Sequence, residues 1–155
     1  RALSKLPGQA LANSHANTLL TIIEINIGYP NLSADRMVSV VNSDEFNSFD
    51  IVRQVSVLGN TAYALNKAGR YDDALDYLDR AFAELASTPD DAISAQRRRQ
   101  QLWHNRSNVG LAKIGKGEFA DLAEIAEEMS SLSSGLASPL LNLRSRYIQA
   151  AADYG

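Results

Sequence analysis

The chain contains no cysteine, which excludes disulfide scaffolds, thiol catalysis and cysteine-ligated zinc. Histidine is almost as scarce. His15 and His104 are the only two, 89 positions apart and outside any H-E-x-x-H spacing, so neither reads as a metal ligand or a catalytic base. The sequence has no G-x-S-x-G elbow and no G-x-x-x-x-G-K-[ST] phosphate loop. Long apolar runs are missing too: the longest stretch, Leu19 to Ile27, is interrupted by Thr21, Glu24 and Asn26, too short and too polar to span a bilayer. There is no excess of positive charge. A net charge of −3 and a pI near 5.3 argue against a dedicated nucleic-acid binder. The chain opens at Arg1 with no signal-peptide pattern, so it reads as a fragment of a longer protein and as one domain over residues 1–155. The compartment stays open, with the cytoplasm favoured and the periplasm allowed if an export signal was removed.

Apolar residues make up 45% of the chain and charged residues 21%, the composition of a soluble globular domain. Strand-like alternation is absent, and the apolar positions recur three and four apart. Seven helical segments follow. The first runs from about Gln9 to Ile27, ended by Gly28 and Pro30. Ser33 is expected to cap the second, and residues 42–48 connect it to a third from Phe49 to Ala68, stopped by Gly69. A fourth spans Tyr71 to Ser87, with Ala74, Leu78, Ala81 and Leu85 on one face. Thr88 and Pro89 are read as the N-cap and first residue of a fifth, reaching Ile114. The sixth covers Glu118 to Leu132. After a loop at Ser133, Ser134 and Gly135, Ser138 and Pro139 open the seventh.

The segments come in pairs with short turns. Gly69-Arg70-Tyr71-Asp72-Asp73-Ala74 and Gly117-Glu118-Phe119-Ala120-Asp121-Leu122 read alike: glycine, charged residue, aromatic, any residue, aspartate, small or apolar residue. Gly28-Tyr29 is a fainter echo. Ala62, Gly69, Tyr71, Ala74 and Ala81 stand where a small residue, a turn glycine, an aromatic and two small residues are wanted in a tetratricopeptide repeat, and residues 55–88 resemble that family closely. Residues 103–134 match through Gly110, Gly117 and Phe119, and depart from it at Leu122 and Met129. The two turn glycines are 48 positions apart, against a family period of about 34. The chain therefore resembles long-helix variants found in sensory regions of bacterial signalling proteins. The resemblance implies an all-α solenoid of antiparallel helix pairs, about three and a half repeats, with a concave binding side.

Charge is segregated along the chain. Residues 71–90 set Arg80 against Asp72, Asp73, Asp76, Asp79, Glu84 and Asp90, and residues 117–132 carry only carboxylates. Between them, residues 91–115 hold Arg97, Arg98, Arg99, Arg106 and Lys113 against Asp91. Consecutive arginines point about 100° apart on a helix, so the cluster predicts ion pairing with acidic neighbours rather than one anion-binding patch. The adjacent pairs Asp72/Asp73 and Glu127/Glu128 read as solvated surface. Trp103 reads as inter-repeat core, with ligand anchoring the alternative. The sequons at Asn31 and Asn105 read as chance.

In the repeat register the groove would be lined by Ser56, Tyr63, Asn66, Lys67, His104, Ser107, Asn108 and Leu111, with Gly59, Asn60 and Asn105 nearby. Asparagine amides both donate and accept, so they can hold a peptide backbone without reading its sequence. Replacing Tyr63 and Asn66 together by alanine is expected to spare folding and weaken binding. The implied function is a non-catalytic module without cofactor, metal or direct nucleic-acid contact, binding a protein or peptide as the sensory or scaffold part of a signalling protein such as a diguanylate cyclase. A peptide-sensing domain of a transcription regulator, or a spacer that forms homodimers, are the alternatives.

Overall fold

The computed structural model describes residues 7–134 and 139–155, and side chains over 16–134 and 141–155. These residues form seven α-helices and no strand: α1 Pro7–Asn26, α2 Pro30–Val41, α3 Ile51–Lys67, α4 Tyr71–Ser87, α5 Ala95–Lys116, α6 Leu122–Ser133 and α7 Pro139–Tyr154, with a 3-10 turn at Phe46–Ser48. Ser138 and Gly135 lie outside the described residues, as does the side chain of His15.

The turns explain why the helices pair. Gly69 and Gly117 have φ of 75° and 76°, in the left-handed region where a Cβ is penalised. After Gly69, the Arg70 N–H donates to the Leu65 carbonyl at 2.9 Å and the Gly69 N–H to Asn66 at 3.2 Å. After Gly117, Glu118 donates to Lys113 at 2.9 Å and Gly117 to Ile114 at 3.0 Å. Each is a Schellman closure, satisfying the last helical carbonyls and reversing the chain. The faint echo at Gly28 has the same geometry: φ is 93°, and Tyr29 donates to Glu24 at 2.8 Å. Three helix pairs thus share one turn. Gly69→Val should lower stability by about 2 kcal/mol, a fall of roughly 5 °C in melting temperature, and Gly69→Ala by about half as much. Thermal unfolding followed by circular dichroism measures this, and an unchanged midpoint would show that the turn does not need glycine.

Each helix packs on its chain neighbour, and the odd helices also pack on one another, α1 on α3, α3 on α5 and α5 on α7. The even helices meet chiefly the helices before and after them. In α4 the apolar stripe Ala74, Leu78, Ala81 and Leu85 is buried, while Asp72 and Asp73 occupy the first turn, where carboxylates favour the helix dipole. Leu58, Ala62 and Leu65 of α3 and Leu122 and Met129 of α6 complete the centre, all 1% exposed or less. Tyr71 lies over Gly115, where a Cβ would overlap its ring.

Charge pairing forms for Arg106 and Lys113 as the segregation predicts, and Lys116, just beyond the basic segment, adds to it. Lys116 bridges Asp72 of α4 and Glu118 at 2.8 Å each, Arg106 meets Glu128 of α6 at 2.7 Å, and Lys113 meets Asp121 at 2.6 Å. Hydrogen bonds from Asp72 and then Glu118 raise the Lys116 pKa. The three consecutive arginines diverge. Arg97 and Arg99 are exposed, whereas Arg98 turns back to donate to the carbonyls of Leu85 at 2.5 Å and Thr88 at 2.8 Å.

Three helix starts differ from the sequence reading. α2 begins at Pro30, and Ser33 is a buried helical residue whose hydroxyl donates to the Thr21 carbonyl at 3.4 Å. Thr88 ends α4 rather than capping α5, its Oγ1 donating to the Glu84 carbonyl at 2.6 Å. Burial of Ile93 and the reach of Arg98 hold residues 88–94 as a connector, so Ser94 becomes the cap, its Oγ accepting the Arg97 N–H. α6 starts at Leu122, not Glu118.

Candidate functional site

The α3–α5 contact is built from small and amide side chains. Asn66 Nδ2 donates to the Asn108 carbonyl at 2.9 Å, and Asn108 Nδ2 donates to the Gly59 carbonyl at 3.1 Å. One turn earlier on α3 and two turns earlier on α5, Gln101 Nε2 donates to Ser56 Oγ at 2.8 Å. Gly59 permits this approach: a Cβ there would overlap Asn105 Oδ1 and stand 3.2 Å from the His104 ring. Gly110 plays the same part toward α7, where a Cβ would lie 2.6 Å from Ile148 Cδ1.

Asn66 and Asn108 are therefore buried between helices, and Ser107, also buried, accepts a hydrogen bond from Arg144 at 3.0 Å. Burial makes Asn66→Ala a structural change, so the double replacement with Tyr63 is no longer expected to spare folding. Asn105, within the second sequon, is fully buried.

Tyr63, Lys67, His104 and Leu111 remain together, lining a cleft of about 620 Å³ between α3, α5 and α7. Trp103 forms part of its wall while only 6% exposed, so it is both core and lining. The α7 side, absent from the groove expected from sequence, completes the cleft through Leu141, Leu143, Arg144 and Tyr147. Leu143 and Tyr147 are 61% and 54% exposed. A large apolar residue at each, four apart on a helix that also carries Arg144 and Arg146, is the sequence signal for this wall.

Two cation–aromatic pairs flank the opening. Lys67 Nζ lies 5.6 Å from the Tyr63 ring centre and Arg144 Cζ lies 5.9 Å from that of Trp103. Among the described residues no carboxylate lines the cleft. His104 packs beside Gly59. Burial, then the charge of Arg144, lowers its pKa from 6.5 to about 4, so it is neutral at pH 7.

The depressed value has a stability consequence. Below pH 6.5 an unfolded His104 takes up a proton that the folded one refuses until about pH 4. Stability from this residue is complete above pH 6.5 and falls as pH drops toward 4. The loss is about 2 kcal/mol, read as the difference between wild type and His104→Gln in denaturant titrations at pH 7 and pH 4.5. Equal losses in the two proteins would show that His104 is solvated.

Ser56 belongs to a second recess of about 330 Å³, lined also by Thr18 of α1, Asp50, Arg53 and Asn60, and by Arg97 of α5. Asp50 is engaged as the N-cap of α3, its Oδ1 accepting the Arg53 N–H at 2.9 Å.

Among the described residues no group of three or more His, Cys, Asp or Glu could hold a metal ion, and no helix is long and apolar enough to cross a membrane. Comparison with protein-family models, with curated proteins and with solved structures finds no match.

Proposed function

We propose that the chain is a non-catalytic interaction module, a tetratricopeptide-like solenoid of about three and a half repeats whose odd helices present a groove to a peptide or protein segment. The observation that carries this reading is the cleft of Tyr63, Lys67, Trp103 and His104, which lies across three consecutive odd helices. A surface that draws on α3, α5 and α7 together suits an extended ligand, which can touch successive helices in turn. The shared glycine turn at Gly28, Gly69 and Gly117 supports the repeat, as does the packing of odd helix on odd helix. A role as the sensory or scaffold part of a bacterial signalling protein, such as a diguanylate cyclase, rests on the family resemblance alone.

Panning a random twelve-residue peptide display library on the whole chain tests the module. A set of related sequences should be enriched, and their binding should fall about tenfold on Tyr63→Ala with the circular dichroism spectrum unchanged. No enrichment would sink the reading.

The spacer alternative has its own observation. Leu19, Ile22, Ile23 and Ile27 of the first helix pair are each 48% exposed or more, a patch that a second copy could cover. Light scattering over a hundredfold concentration range should show mass doubling if that is its use, and a constant mass would remove the spacer reading.

A further inference from the structure

One stripe of α3 lines both recesses. Arg53, Ser56 and Asn60 face the smaller, and Tyr63 and Lys67 face the larger. Their spacing of three, four, three and four residues keeps them on one face. Arg97 of α5 stands at the first recess, and Arg144 of α7 at the second. From Arg53 to Lys67 the stripe runs about 21 Å at 1.5 Å per residue, the length of about six extended residues.

Charge along this track is opposite to that of the molecule. The chain carries −3 overall, and Asp72, Asp121 and Glu128 are held by Lys116, Lys113 and Arg106 on the sides of α5 that meet α4 and α6. Lys67, Arg97 and Arg144 line the two recesses together with Arg53, which stacks on Phe49, and among the described residues the sole lining carboxylate is Asp50, already engaged in capping α3. Within the larger recess the floor between the cations is apolar and aromatic, made by Trp103, Leu111, Leu141 and Tyr147.

Resting on the peptide-binding reading above, we propose that the track takes an acidic, extended segment of about six residues, its carboxylates on Arg97, Lys67 and Arg144 and one large apolar side chain seated against Trp103. A single strand of nucleic acid would also find cations and aromatics. The acidic surroundings of the track and the limited number of cations favour the peptide.

Trp103 is the chain's one tryptophan and lines the cleft, so its emission reports occupancy without a label. Four capped hexapeptides serve as probes on the full chain: Glu-Asp-Leu-Phe-Asp-Glu, its amide analogue Gln-Asn-Leu-Phe-Asn-Gln, its basic analogue Lys-Arg-Leu-Phe-Arg-Lys, and Glu-Asp-Gly-Gly-Asp-Glu, which lacks the apolar centre. The first should bind at least tenfold more tightly than each of the others and weaken severalfold between 50 and 300 mM salt. Lys67→Glu combined with Arg97→Glu, both exposed positions, should reduce its binding at least tenfold and leave the circular dichroism spectrum and melting unchanged. Equal binding of the acidic and amide peptides, or preference for the basic one, overturns the charge assignment and leaves a peptide groove standing. Equal binding of the acidic peptide with and without its apolar centre overturns the seat at Trp103. A twelve-nucleotide oligothymidine that outcompetes the acidic peptide overturns the proposal in favour of nucleic acid. Silence from all four, with library panning positive, overturns the proposal alone. Silence in both experiments overturns the peptide-binding reading with it.

Discussion

Trp103→Ala should unfold the chain about 10 °C below the wild type. The indole is 6% exposed, and truncating a buried Trp costs about 3–5 kcal/mol, from lost transfer energy and from a cavity that its neighbours fill incompletely. In a chain of this length each kcal/mol moves the midpoint about 2–4 °C. The partners here are poorly placed to collapse. α5 is held against α3 by Asn66 and Asn108 and against α7 by Arg144 on Ser107, so the helices cannot slide into the gap. Arg144 also lies over the indole, and its removal forfeits that contact. Trp103→Phe keeps most of the volume and should cost less than about 1.5 kcal/mol. The pair separates packing from recognition. If both variants melted within 2 °C of wild type, Trp103 would be surface lining and not core.

That dual position shows what the sequence can and cannot disclose. Helix count, helix pairing and the turn glycines are local. They depend on three- and four-residue periodicity and on left-handed backbone at Gly69 and Gly117, and a single chain displays both. Helix starts are less local. Thr88-Pro89 has the chemistry of a cap, yet a buried Ile93 and the long reach of Arg98 moved the start of α5 to Ala95, and neither contact is visible in a window of ten residues. The site divides the same way. Tyr63, Lys67, His104 and Leu111 share the cleft because spacings of four and seven residues keep each pair on one side of its helix, α3 or α5. Asn66, Ser107 and Asn108 lie close by in sequence but rotate into the helix contacts. A residue one position around the helix turns through 100°, enough to exchange groove for core. Leu143 and Tyr147 stand four apart on α7 and so share a face, but whether that face closes the cleft depends on how closely Gly110 lets Ile148 approach, a distance no periodicity encodes.

Gly59→Val is the companion test, because sequence reasoning and structure predict opposite signs. Glycine within a helix costs about 1 kcal/mol relative to alanine, so replacement by any residue but proline at an exposed helical site would be expected to stabilise. In α3 the added Cβ would overlap the Asn105 amide and press on His104, and valine adds two methyl groups to that collision. Overpacking of this kind costs about 1–3 kcal/mol, and the valine variant should lie at the upper end, losing about 3 kcal/mol in denaturant titration. Asn105 is the natural point of relief. Its side chain is fully buried and, among the described residues, neither amide atom has a hydrogen-bond partner, so it contributes crowding without a compensating bond. Asn105→Ala should therefore be tolerated alone. Combined with Gly59→Ala, it should recover what the glycine replacement loses, giving a coupling of about 1–2 kcal/mol in a double-mutant cycle. Additive effects would mean that Gly59 and Asn105 do not share the space. The cleft adds a second readout: separating α3 from α5 draws Tyr63 away from Trp103 and His104, so Gly59→Val should loosen the peptide binding proposed above even where the protein remains folded. Binding that survived the valine would move the ligand off the α3–α5 seam.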